Sequence, residues 1–113
     1  MKLGFVGLGR MGSNMVLNLI RKGHAAVVFN RSPAPAIALE KKGAKRAGDY
    51  ATLCGMLPRP RLIWLMVPAG KPVDEVIGAL VPYLEAGDVL IDGGNSNYLD
   101  SVRRHAMLKK KGI

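Results

Sequence analysis

Gly7-Leu8-Gly9-Arg10-Met11-Gly12 has the spacing G-x-G-x-x-G, which among 14 glycines in 113 residues is a weak signal by itself. Its place makes it strong. The motif follows the apolar run Leu3 to Gly7 and opens the helical stretch Met11 to Lys22. At such a strand-to-helix turn Gly7 permits the tight turn, Gly9 lets the backbone approach a pyrophosphate, and Gly12 allows close helix–strand packing. The helix N-terminus then offers free N–H groups and a partial positive charge to phosphates. Leu8, Arg10 and Met11 complete the loop, with Arg10 facing either the phosphates or solvent. The bland alternative is a turn that uses glycine only for its positive φ.

Eighteen residues after Gly12, at the end of the next apolar run, comes Asn30-Arg31-Ser32. A carboxylate at that place bonds both ribose hydroxyls of NAD and would repel the 2′-phosphate of NADP. Asn30 is neutral, Arg31 can grip a phosphate bidentately and Ser32 adds a donor, so the segment favours NADP over NAD. Ser32 also reads as a helix N-cap and Arg31 as a solvated charge. Met66-Val67-Pro68-Ala69-Gly70 ends a third apolar run with small residues beside which a flat ring could lie. Asp92-Gly93-Gly94-Asn95-Ser96 combines close backbone approach with an amide and a hydroxyl, or else is a turn whose Asn95 or Ser96 caps the last helix.

These segments need elements to hold them, and the pattern is βαβα. Strands are predicted at Leu3–Gly7, Ala25–Asn30, Ala44–Gly48 (a short edge), Leu62–Val67 and Val89–Asp92. Helices are predicted at Met11–Lys22, from Pro33 through Lys42 with Gly43 as its stop, from Asp49 as cap to Met56 or Leu57, Val73–Leu84 bent or divided by Pro82, and Tyr98–Lys111. Right-handed crossovers then give an α/β fold of Rossmann type: a doubly wound parallel sheet in order 3-2-1-4-5 with helices on both faces. All the motifs fall at the carboxyl ends of strands, the edge where such sheets bind ligands.

The length suits one domain, residues 1–113, and 49% hydrophobic with 22% charged residues is ordinary globular composition. The run Lys109-Lys110-Lys111-Gly112-Ile113 reads as a helix end, a glycine stop and the first residue of something further, so a domain cut short is expected. The net charge of +9 raises nucleic acid as a partner, but residues 101–113 hold five bases and no acid, leaving twelve bases against eight acids before them. A solvated helix face is the simpler reading, and neither nucleic acid nor membrane is expected as a partner. The single cysteine, Cys54, reads as a small core residue, and with no signal sequence or bilayer-length apolar run the expected setting is reducing and cytoplasmic. His24 reads as a helix cap and His105 as a lone member of a basic helix, while Met11, Met15 and Met56 read as core. No residues show metal-ligand spacing or an acyl-transfer set, so no metal is expected.

Gly7-Leu8-Gly9-Arg10-Met11-Gly12-Ser13-Asn14-Met15, Asn30-Arg31-Ser32, Met66 to Gly70 and above all Asp92-Gly93-Gly94-Asn95-Ser96-Asn97-Tyr98 closely resemble the amino-terminal domain of the 6-phosphogluconate dehydrogenase family, over the whole chain. The 3-hydroxyisobutyrate dehydrogenases look similar through the first strand and helix but carry an Asp-x-Ser-Thr type of sequence after the fifth strand. The resemblance implies oxidative decarboxylation of 6-phosphogluconate to ribulose 5-phosphate and carbon dioxide, with hydride passing to NADP, in the pentose phosphate pathway and gluconate utilization.

Carried over, Gly7 to Gly12 form the dinucleotide loop, Asn30, Arg31 and Ser32 the adenosine 2′-site, and Val67, Pro68, Ala69 and Gly70 the nicotinamide side. Asn95 contacts substrate or nicotinamide, and Ser96 substrate. Pro68 departs from the Lys of many long-chain members, as in a shorter-chain group that includes NAD-preferring enzymes; those often have Asp where Asn30 stands. The family's general-base lysine, its acid glutamate, its Ser-Gly-Gly substrate segment and its helical dimerising domain come after Ile113. No catalytic residue is therefore expected within the chain, and the 113 residues alone are expected to be inactive, as part of a homo-oligomeric enzyme. A stand-alone nucleotide-sensing module is the alternative of another class, and it would have no use for residues 92–97.

Overall fold

The computed structural model describes residues 1–68, 70–93 and 98–113, the side chains of residues 98–100 excepted. In chain order the elements are β1 (Lys2–Val6), α1 (Arg10–Arg21), β2 (Ala25–Phe29), α2 (Pro33–Glu40), β3 (Lys45–Arg46), α3 (Tyr50–Gly55), β4 (Leu62–Leu65), α4 (Lys71–Leu80), a 3₁₀ turn (Val81–Tyr83), β5 (Val89–Asp92) and α5 (Tyr98–Lys109). The sheet order is β3-β2-β1-β4-β5 with every pairing parallel, as the sequence predicts.

Successive side chains of a strand point to opposite faces, so each central strand feeds two cores. Leu3 and Phe5 of β1 with Ala26 and Val28 of β2 pack on Val16 of α1 and on Ala36 and Leu39 of α2. Val6, Val27, Ile63 and Leu65 meet Leu53 of α3, a stripe on α4 and Leu108 of α5. Helices therefore cover both faces, and apolar runs without polar alternation are what a doubly covered sheet requires.

The helix ends follow from local chemistry. Asp49 accepts the Thr52 N–H at 2.7 Å and caps α3 as expected. After α1, Gly23 takes φ +88° while the N–H groups of Gly23 and His24 return to the carbonyls of Ile20 and Leu19, so glycine closes the helix in the left-handed conformation. Pro82 divides the fourth helical stretch, as expected, by starting a 3₁₀ turn after Leu80. Two expectations change. Ser32 occupies the N-cap position of α2, but its side chain makes no capping bond. Met11 is not core: at 66% exposure it projects from the outer side of the first turn of α1, off the buried line of Gly12 and Val16, whereas Met15 and Met56 do pack against the cores.

Candidate functional site

At the carboxyl edge of the sheet, where the strand order reverses between β1 and β4, lies a cleft of about 840 Å³. Ligands of open α/β sheets bind at such reversals, and the volume falls within the span of small-molecule and cofactor sites. Three separate sequence segments meet there: Gly7, Leu8 and Gly9 from the first loop, Asn30 and Arg31 from the end of β2, and Met66, Val67 and Pro68 from the end of β4.

Steric constraint explains the loop. Gly7 has φ +99°, and a Cβ there would overlap the Met66 carbonyl oxygen, so only glycine lets β1 turn this close to β4. A Cβ on Gly12 would strike the Gly7 carbonyl oxygen, which sets how tightly the first turn of α1 presses on the loop. Gly9 is different: nothing lies within 4 Å of where its Cβ would be, so this glycine leaves open space at the cleft. Gly9 is also the N-cap of α1, with no side-chain cap and no acid in the first turn. The positive end of the helix dipole is thus uncompensated within the helix and faces the loop's side of the cleft, the arrangement that attracts phosphate. Ser13 holds the loop from behind, its Oγ donating to the Leu8 carbonyl at 3.1 Å.

Asn30 joins two sides of the cleft. Its Oδ1 accepts the Leu8 N–H at 2.8 Å, and its Nδ2 donates to the Ser32 carbonyl at 2.9 Å. Beside it Arg31 is exposed and forms no ion pair among the described residues. Ser32 is exposed as well. Arg10, Met11, Gly12, Ser32 and Gly70 do not line the cleft, and Ala69, Asn95 and Ser96 lie outside the described residues.

A family model described as the NAD binding domain of 6-phosphogluconate dehydrogenase matches residues 2–113. The chain belongs to that family. It is 49% identical over 120 residues to the decarboxylating 6-phosphogluconate dehydrogenase of Chlamydia muridarum, covering 98% of this chain and 24% of that enzyme. Among solved structures, Plasmodium falciparum 6-phosphogluconate dehydrogenase, described with its cofactor NADP+ and its substrate 6-phosphogluconate, superposes with a TM-score of 0.87 at 32% identity, over 100% of this chain and 26% of that one. Mycobacterium tuberculosis 3-hydroxyisobutyrate dehydrogenase reaches a TM-score of 0.88 at 22% identity, over 98% of this chain and 37% of that one, a likeness of fold. The chain thus spans about a quarter of the length of the 6-phosphogluconate dehydrogenases it matches.

Within this NAD-binding domain, the sequence missed the cleft's far wall. Pro72, Val76 and Ala79 of α4 line it, together with Glu75, and Val76 also joins Val73, Ile77 and Leu80 of the same helix in the core. Two i, i+4, i+7 stripes on one helix carry that signal, one towards the cleft and one towards the core. Phe29 and Tyr50 complete the wall, their rings 4.6 Å apart and tilted by 55°. Burial pushes the Tyr50 hydroxyl above its ordinary pKa of 10.0; Arg31 opposes the shift and Glu75 adds to it. Gly93 also answers a packing demand. A Cβ there would overlap Trp64 Nε1 and come within 2.6 Å of Met66 Sδ, so this glycine makes room for β4 side chains.

Proposed function

We propose that the cleft holds a dinucleotide, with NADP preferred over NAD, and that the chain is the cofactor domain of an enzyme carrying out the oxidative decarboxylation of 6-phosphogluconate to ribulose 5-phosphate. The observation that carries this is the exposed Arg31, without an ion pair among the described residues, beside a neutral Asn30, at the same cleft as the open Gly9 loop. The glycine loop and the first turn of α1 receive the pyrophosphate; Arg31 and the uncommitted Ser32 hydroxyl receive the 2′-phosphate; Phe29 and Tyr50 give an apolar wall towards the adenosine. Val67, Pro68, Ala69 and Gly70 form the nicotinamide side, with Asn95 between nicotinamide and substrate and Ser96 on the substrate. When bound, the nicotinamide supplies the hydride acceptor of the oxidation.

The family likeness assigns neither the base nor the acid of such a reaction to these residues, and on that reading the 113 residues alone bind cofactor without turning over substrate. The family likeness supports a homo-oligomeric enzyme in the pentose phosphate pathway, in a cytoplasmic setting. No described helix is long and apolar enough to cross a membrane.

Calorimetric titration with both dinucleotides tests the site. Arg31→Ala should weaken NADP by at least about tenfold, the scale of a lost charge-assisted phosphate contact, and leave NAD nearly unchanged. Equal affinities in the unmodified chain, or equal losses in the variant, would overturn the preference; turnover of 6-phosphogluconate that tracked the purity of the chain would overturn its inactivity.

A further inference from the structure

Arg104 sits in the body of α5 and is only 4% exposed, although it always carries a charge. A buried guanidinium is costly unless its donors meet acceptors, so its partners show what it is for. Its Nε donates to Asp74 Oδ1 at 2.9 Å, an Nη donates to the Gly70 carbonyl at 3.0 Å, and the other Nη stands 3.6 Å from Asp92 Oδ2. Asp74 lies in the first turn of α4, Gly70 is the N-cap of that helix, and Asp92 is the last residue of β5. Arg103 reaches Asp74 too, at 3.1 Å, but from an exposed position.

The two acceptors and the ion-pair partner Asp92 share a location. Gly70 ends the segment leaving β4, and Asp92 begins the segment leaving β5. The strands are neighbours, with Leu65 paired to Asp92. One rigid fork from a third element therefore fixes the exits of two adjacent strands relative to each other. Neither exit belongs to the proposed adenosine side, which is built from the end of β2 and the start of α3.

We propose that Arg104 is a positioning residue for the nicotinamide half of the dinucleotide, holding Gly70, which precedes α4, and Asp92, which ends β5, at the spacing that half requires. The inference rests on the reading of the cleft as a dinucleotide site. It differs from a purely structural brace in one respect: its loss should act on one half of the ligand and spare the other.

The test is titration of the 113-residue chain with 2′,5′-ADP, which carries the adenosine half and its 2′-phosphate, and with NADP, in the unmodified protein, Arg104→Lys and Asp74→Ala. Lysine keeps the charge and loses the planar fork, so it cannot serve the Asp74 and Gly70 acceptors together. Asp74→Ala removes the main acceptor from a partly exposed helix turn and carries the test should Arg104→Lys fail to fold. Both variants should bind 2′,5′-ADP as the unmodified chain does, while the excess affinity of NADP over 2′,5′-ADP falls by about tenfold, the worth of one charge-assisted hydrogen bond. An unchanged excess, or parallel losses for both ligands, would overturn the positioning role. Should the unmodified chain bind 2′,5′-ADP with no excess for NADP, the positioning role fails and the adenosine site stands; should it bind neither, the dinucleotide reading fails and takes this inference with it.

Discussion

Both hydrogen-bonding functions of the Asn30 amide are engaged inside the protein, one on the Leu8 N–H and one on the Ser32 carbonyl. This changes what the residue is expected to do in cofactor choice. An aspartate in its place would still accept from Leu8, but would set a carboxylate oxygen against the Ser32 carbonyl and a negative charge beside Arg31. Asn30→Asp is therefore expected to lower the ratio of NADP to NAD affinity by about tenfold and to cost about 1 kcal/mol of stability for the lost bond. Paired calorimetric titrations and urea unfolding check the two effects separately, and an unchanged preference would remove Asn30 from the specificity argument. The neutral amide at the strand end was legible in the sequence as a missing carboxylate. Its two internal bonds were not, because they depend on the β1–β2 register, in which Val6 sits opposite Phe29 and brings the two loops together.

At the scale of elements, the strand-loop-helix units were legible because their punctuation is local. Apolar runs mark the doubly covered strands, and glycine follows lysine at the ends of three helical stretches; at each end the same two backbone N–H groups fold back, from Gly23 and His24, from Gly43 and Ala44, and from Gly112 and Ile113. What stayed hidden are polar residues whose partners lie far along the chain. Asp88, which follows Ala86 and Gly87, is 2% exposed. It accepts the Arg61 N–H at 2.7 Å, the Arg61 guanidinium at 3.0 Å and the Glu85 N–H at 2.8 Å, while Arg61 Nε donates to the Cys54 carbonyl. This joins the starts of β4 and β5 to the end of α3, at the edge of the sheet away from the cleft. Removing Asp88 leaves a largely buried guanidinium with only the Cys54 carbonyl, and two backbone donors without their acceptor. Asp88→Ala should therefore destabilise the chain by about 3–5 kcal/mol, a large part of the 5–15 kcal/mol typical of a domain. Chemical denaturation measures it, and a loss below about 1 kcal/mol, the size expected of an exposed pair, would show that the cluster is solvated in solution.

Over the whole molecule, the net charge of +9 divides by residue type and by position. Arginines 46, 59, 61, 103 and 104 are paired with acids on other elements or loops. The exposed lysines 22, 41, 42, 109, 110 and 111 gather at the carboxyl ends of α1, α2 and α5, where they offset the negative ends of the helix dipoles. In a parallel βαβ fold the helices run back against the strands, so these ends lie at the sheet edge opposite the cleft, and α1 and α2 are on the other face from α5. The positive charge of these lysines is thereby spread over two faces of one edge and not gathered into one groove. Any affinity for DNA or RNA should then be counterion release alone, falling steeply between about 50 and 200 mM salt. Dinucleotide binding should depend much less on salt, since helix N–H groups and one guanidinium replace many independent phosphate contacts. Anisotropy titrations of a labelled duplex and a labelled single strand across that range, beside calorimetry with NADP, compare the two slopes. Nucleic-acid binding that persisted at the higher salt and was displaced by NADP would place it in the cleft and contradict the assignment of the basic residues to helix ends.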